Sequence, residues 1–362
     1  MIQGTASHVG KTVIVAGLCR MLSKRGIRVA PFKAQNMALN SFITKDGAEI
    51  GRAQAFQAEA AGIEPCAHMN PVLLKPTGDC SSQVIVRGRV YGQMSAREFH
   101  VFKKELKGIV YESYSMLAEN YDFIVAEGAG SPAEVNLRDN DIVNMGFAQM
   151  ADCPVVLVAD IDRGGAFASL IGTMELLSDD ERARVKGFII NKFRGDRTLL
   201  EPGLRFLTER TNVPVVGVIP YLGNLLLPEE DGVRLEYEGR DDSKEGADSV
   251  RIAVIRLPRI SNFTDFDPLM QEQGVSVVYI DDAKGLVGAD MVIIPGTKNT
   301  IADLLWLRTN GLEQAIKDHV SRGGALLGIC GGFQMLGRHV RDPDRVEGSA
   351  VEAQGAGLLD VD

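Results

Sequence analysis

The stretch Gly4–Thr12, GTASHVGKT, decides how the rest of the chain is read. A short apolar start, Met1 to Gln3, precedes it, and a helical pattern, Val13 to Lys24, follows. Small residues in such a loop let backbone N–H groups face an anion, and the first turn of a helix adds a favourable dipole. A lysine followed by a hydroxyl residue then suits a nucleoside triphosphate: Lys11 would bridge the β- and γ-phosphates and Thr12 would hold Mg2+. The spacing departs from G-x4-GK[ST], because Thr5 stands where the first glycine belongs and Gly4 comes one residue earlier. A plain glycine turn entering a helix would share much of this pattern, but the strand–loop–helix setting favours ATP, with Gly4, Gly10, Lys11 and Thr12 as its contacts.

Outward from the loop, apolar β-rich runs alternate with helical patterns: Ile27 to Phe32, Phe123 to Ala126, Val155 to Ala159, Val185 to Ile190 and Val215 to Ile219. Short, fully apolar runs between helices such as Ala96 to Glu119 are what a parallel sheet covered on both faces requires. An acidic stretch from Glu229 to Ser249 reads as a linker, giving an ATP-dependent domain over 1–228, a linker over 229–249 and a second α/β unit over 250–362. The second unit repeats the alternation in Arg251 to Arg256, Val275 to Ile280, Met291 to Ile294 and Ala325 to Ile329. Its last strand-like run, Leu358 to Val361, has no covering element after it, and both ends of the chain read as cut.

Bulk properties narrow the class. The 362 residues are 45% hydrophobic and 24% charged, a composition that buries a large core. A formal net charge of −9 argues against a nucleic-acid partner. Cys19, Cys66, Cys80, Cys153 and Cys330 are scattered, without the close pairs of a disulfide framework or zinc site. No signal peptide or apolar run of membrane-spanning length stands out, so the expected setting is the cytoplasm, with no membrane partner.

Magnesium needs oxygen ligands beyond Thr12, and strand ends present them in an open α/β sheet. Glu127 ends YDFIVAEGAG, and Asp160 and Asp162 follow PVVLVA. Thr12, Glu127 and Asp160 form the expected metal set, with Asp162 a further candidate. NKFRGD, Asn191 to Asp196, has Arg194 where a guanine-reading NKxD motif has aspartate. Asn191 could then contact adenine or cap the following turn.

Long segments then match a known family in order: PFKAQNMALNSF (31–42), EIGRAQAFQAEAA (49–61), MNPVLLKP (69–76), EGAGSPAEVNLRDNDIVNMG (127–146), VADIDRGG (158–165), GFIINKFRGD (187–196), LPRISNFTDFDPL (257–269), PGTKNT (295–300) and GICGGFQMLG (328–337). In these the chain resembles the cobyric acid synthase family. The resemblance implies a P-loop NTPase-like domain of the dethiobiotin-synthetase type, then a partial class I glutamine amidotransferase (flavodoxin-like) α/β domain. It also implies ATP- and glutamine-dependent amidation of the b, d, e and g carboxylates of adenosylcobyrinic acid a,c-diamide, through acyl phosphates and ammonia. Lys33, after the second strand, would neutralise charge during phosphoryl transfer. Lys75, Asn136, Arg138 and Arg163 are candidates for corrinoid carboxylates, and a homo-oligomer is open.

GICGGF places Cys330 between an apolar strand and a helix, a nucleophile elbow with cysteine in place of serine. Backbone N–H groups of Gly331 and of the Pro295–Gly296 turn would form an oxyanion hole. The other cysteines read as packing residues. A triad glutaminase needs a histidine base. His339 stands nine residues on, expected at the far end of the elbow helix, and His319 is expected at the surface. The family's histidine and acidic partner come later, so this chain is expected to lack them. Rival readings are the sister enzyme that amidates the a and c carboxylates, a partition-type P-loop ATPase switch, and a non-catalytic binding protein.

Overall fold

The computed structural model describes residues 1–78, 81–223, 249–348 and 350–362. The chain folds into two compact units: Met1–Met37, Phe42–Leu74 and Gln83–Pro228 make one, and Ala38–Ser41, Lys75–Ser82 and Glu229–Asp362 make the other. The stretch expected to be a linker, along with Cys80, lies almost wholly outside the described residues.

In the first unit the apolar runs form parallel strands: β1 (Ile2–Gly4), β2 (Val29–Phe32), β3 (Phe123–Ala126), β4 (Val155–Asp160), β5 (Val185–Phe193) and β6 (Val215–Pro220). Strands β1, β4, β5 and β6 are neighbours in that order, β2 pairs with β3, and a parallel bridge between Ile2 and Glu127 joins the pairs. The spatial order is therefore β2-β3-β1-β4-β5-β6. The chain leaves β1 for one side of the sheet and later fills the other, which makes a crevice at the carboxyl end of β1. A small extra sheet, which the apolar pattern did not announce, pairs Gln35–Met37 with Val72–Leu74 in parallel.

Helix α1 (Lys11–Lys24) forms because Lys11, Ile14, Val15 and Cys19 recur on one face, and all four are buried. Ile14, Val15 and Cys19 pack with Ile2, Val29, Val125 and Val158, so the helix is anchored over the strands that carry the loop. Its N-cap, Gly10, has φ 95°, a left-handed conformation that favours glycine. Helix α2 (Arg52–Ala61) is alanine-rich and buries Gln54 and Gln57 among its alanines. Helix α3 (Ala96–Asn120) opens on a capping box in which Ser95 and Glu98 satisfy each other's backbone N–H groups.

The second unit carries β7 (Val250–Ile255), β8 (Val275–Ile280), β9 (Met291–Ile294) and β10 (Ala325–Gly328), parallel in the order β8-β7-β9-β10. Helices α4 (Thr300–Thr309) and α5 (Gly331–Met335) follow β9 and β10. Two expectations fail here. Leu358 to Val361 is not a strand: the last strand, Glu352–Gln354, lies antiparallel to His339–Arg341. Gly355 and Gly357 turn the chain after it, and the Leu358 and Leu359 amides both donate to the Leu336 carbonyl. His319 is buried, because it follows Leu312 and Ile316 on the inward face of its helix. No described helix is long and apolar enough to cross a membrane.

Candidate functional sites

The loop Gly4–Gly10 packs too closely on itself to admit side chains at its ends. A Cβ on Gly4 would stand 2.6 Å from Val9 Cγ2 and 2.9 Å from Lys11 Nζ, and one on Gly10 would stand 2.2 Å from Asn191 Nδ2. Thr5, in place of the expected glycine, still continues β1, its amide donating to the Val158 carbonyl (2.9 Å). The Lys11 ammonium is buried and curls over the loop, donating to the carbonyls of Ala6 (3.1 Å) and Gly130 (3.2 Å).

Thr12 opens α1 beside the end of β3, and its hydroxyl donates to Glu127 Oε1 (3.0 Å). Lys33, just past β2, donates to the same oxygen (3.1 Å), and both side chains of this ion pair are almost fully buried. Glu127 Oε2 accepts from Gln57 Nε2 (2.5 Å). A carboxylate buried this deeply needs such donors. The strand order explains the meeting: β2, β3 and β1 are adjacent, so residues just beyond their carboxyl ends converge. A threonine hydroxyl and a carboxylate are hard oxygen donors of the kind Mg2+ accepts, alongside phosphate and water oxygens. Among the described residues no group of three or more His, Cys, Asp and Glu is gathered as an all-protein metal cage.

Asp160 is differently engaged. Its Oδ2 pairs with Lys192 Nζ (2.7 Å), with Arg163 Nε at 3.8 Å, and its Oδ1 accepts from the Asp162 amide (2.9 Å). Asn191 turns its Nδ2 to the Val9 carbonyl (2.7 Å), while Lys192 Nζ donates to the His8 carbonyl (2.9 Å). The NK pair of NKFRGD therefore braces the phosphate loop from β5.

The other candidates for substrate carboxylates have local settings of their own. Arg138 donates to the Leu176 carbonyl and lies 3.6 Å from Glu181. Arg163 is largely exposed, Asn136 is exposed on a 3-10 turn, and the buried Lys75 donates to Ser41 Oγ (3.2 Å).

In the second unit Cys330 is the exposed junction of β10 and α5, with φ 49° and ψ −111°. A non-glycine residue in that region is strained, as at a nucleophile elbow. Flanking glycines make the turn sterically feasible: a Cβ on Gly332 would meet the Ile294 carbonyl oxygen at 2.1 Å, and one on Gly328 would meet Phe333 Cα at 2.7 Å. The Pro295–Gly296 turn lies alongside, since a Cβ built on Gly296 would be 3.8 Å from Cys330 Cβ. One on Gly331 would be 2.9 Å from Thr297 Cγ2.

That turn is held by a group the motifs did not single out. Asp303, fully buried on α4, accepts from the Thr297 hydroxyl, the Arg259 amide (3.1 Å) and Arg259 Nη1 (3.2 Å). Burial pushes its carboxyl above the ordinary aspartate value, against the opposing pull of Thr297 and Arg259. The clue in the sequence was an aspartate on the apolar face of IADLL. His339 is not at the end of the elbow helix, which stops at Met335; it opens a strand and pairs with Glu352 (3.2 Å). A ring nitrogen of His319 lies 3.0 Å from the Ala325 carbonyl. Cys19 is buried, and Cys66 and Cys153 partly so.

Comparison with known proteins covers both units. Residues 1–233 match the CobQ/CobB/MinD/ParA nucleotide binding domain family, and residues 251–362 match the CobB/CobQ-like glutamine amidotransferase domain family. The cobyric acid synthase of Sorangium cellulosum is 57% identical over 361 residues, covering 100% of this chain and 69% of the relative. The chain belongs to the cobyric acid synthase family. The cobyric acid synthases of Clostridium acetobutylicum (55% identity; 100% and 72% coverage) and Pelotomaculum thermopropionicum (56%; 100% and 68%) are similarly close. Among solved structures, the signal recognition particle receptor FtsY of Elizabethkingia anophelis with GDP matches at a TM-score of 0.35 and 16% identity, over 59% of this chain and 54% of that one. That likeness is too slight for inference. Family membership gives the chain a nucleotide-binding α/β domain and a glutamine amidotransferase α/β domain.

Proposed function

We propose that the chain acts in cytoplasmic cobalamin biosynthesis, amidating the b, d, e and g carboxylates of adenosylcobyrinic acid a,c-diamide at the expense of ATP, with ammonia drawn from glutamine. The observation that carries the reading is the convergence of Lys11, Thr12, Lys33 and Glu127 at one end of the parallel sheet. A carboxylate is a poor acyl donor. Transfer of the γ-phosphoryl group to it gives an acyl phosphate, which ammonia displaces with loss of phosphate.

Such a reaction asks the protein for positioning and charge neutralisation. Lys11 turns from its loop carbonyls to the β- and γ-phosphates, Lys33 balances the charge that moves with the phosphoryl group, and Asn191 and Lys192 hold the loop open. Thr12 and Glu127 would hold Mg2+, which supplies further neutralisation of the phosphates. Asp160 is assigned to orienting Lys192 ahead of binding metal. In the second unit Cys330 would attack the glutamine amide, with Gly331 and Gly296 donating to the oxyanion.

The test is mass spectrometry of the corrinoid after incubation with ATP, Mg2+ and ammonium, alongside ADP release. Up to four mass steps of amidation are expected, and Lys11→Ala should abolish both signals. Amidation of the free a,c-diacid in place of the a,c-diamide would move the assignment to the sister reaction.

A further inference from the structure

We propose that Gln57 is a positioning residue of the ATP site: its amide nitrogen fixes the Glu127 carboxylate, and its carbonyl oxygen accepts a hydrogen bond from a water on the bound divalent cation. This rests on reading Thr12 and Glu127 as cation ligands. Gln57 lies on α2 and is completely buried. Its Nε2 stands 2.5 Å from Glu127 Oε2 and 3.4 Å from the Thr12 carbonyl oxygen. Both partners are acceptors, so the orientation of the amide is set by chemistry: nitrogen faces them and Oε1 turns away.

That oxygen is buried and has no hydrogen-bond partner among the described residues. It shares its carbon with a nitrogen that touches both candidate ligand residues, so a donor that reaches it stands beside them, on the side turned away from Glu127. A buried acceptor there calls for a donor. A hydrated cation provides one, because Mg2+ gives up its waters reluctantly and usually keeps several. Groups that orient ligands from behind commonly matter nearly as much as the ligands. Glu127 shows the same arrangement from its own side, with Thr12 and Lys33 on one oxygen and Gln57 on the other. Gln54, three residues earlier, instead accepts from Asn36 Nδ2 (3.1 Å).

The experiment titrates the full chain with Mn2+ in the presence of a non-hydrolysable ATP analogue, reading bound metal by electron paramagnetic resonance. Gln57→Leu should lower Mn2+ affinity about tenfold or more. Unaltered Mn2+ affinity in a folded Leu variant overturns the proposal. Should that variant fail to fold, Gln57→Met decides: it keeps a side chain of similar length without the amide, so Mn2+ affinity should again fall about tenfold or more, and an unaltered affinity in the folded Met variant overturns the role. Glu127→Gln separates the two levels. If it leaves Mn2+ binding intact, the cation reading fails and the role of Gln57 with it. If it abolishes binding while Gln57→Leu does not, only the role of Gln57 fails.

Discussion

Lys33 and Glu127 are an ion pair almost without solvent, and removing one partner of such a pair typically costs about 3–5 kcal/mol because the other charge is stranded. Besides Lys33, Glu127 has two donors, Thr12 and Gln57, so the pair is tolerable where an isolated carboxylate would not be. Asp303 is the counterpart in the second unit, and its raised carboxyl value makes a signed prediction. Above the ordinary aspartate range of about pH 4, the folded state keeps a proton that the unfolded chain has released. Its contribution to stability therefore falls as pH rises, until the raised folded value is passed. Asp303→Asn removes this titration, so the stability of the native chain minus that of the variant should decline with pH from about 4 upward. Urea midpoints across that range measure it, and a difference that grows with pH would mean that the Arg259 and Thr297 contacts outweigh burial. Neither the role of Asp303 nor that of Gln57 was legible in the sequence. A polar residue on a buried helix face looks the same whether it is a local accident or meets a partner tens of residues away.

The elements themselves were largely legible. Phe123–Ala126, Val275–Ile280 and Met291–Ile294 have the bounds their apolar runs predict, although the first opens on an exposed Phe123 and the second is a half-buried edge strand. The misreadings fell where apolar content was ambiguous. Leu358 to Val361 holds strand-forming residues, yet glycine turns and two amides on one carbonyl shape it as a loop. The elbow helix was read too long, which put His339 in the wrong element. The elbow makes its own prediction. Gly332→Ala drives a Cβ into the Ile294 carbonyl oxygen, a backbone atom that cannot swing aside. The cost should be at least about 1–3 kcal/mol, the usual penalty of overpacking. Denaturant unfolding of the variant, with labelling of Cys330 to report the turn, checks it; an unchanged midpoint would mean the elbow is looser than its geometry.

At the scale of the molecule, each unit has apolar clusters of its own among the described residues. Three are drawn from residues 1–219 and two from 252–358. A ligand of the first unit should then stabilise its own core. An ATP analogue with Mg2+ at ~100 times its dissociation constant adds about 2.7 kcal/mol to whatever opening it opposes. Hydrogen exchange should slow in β1, β4 and β5, with β7 and β9 unaffected; equal slowing in both sheets would mean that the two cores open together. The sequence by itself determined the parallel α/β class, the phosphate loop, the elbow and the family, because each rests on residues close together in the chain and on a short-period pattern. Only the tertiary structure decided which carboxylate stands beside Thr12, that Asn191 and Lys192 hold the loop, and that Gln57 and Asp303 sit behind the two sites. Those pairings depend on strand order, and side chains from distant strands become neighbours only when the sheet is assembled.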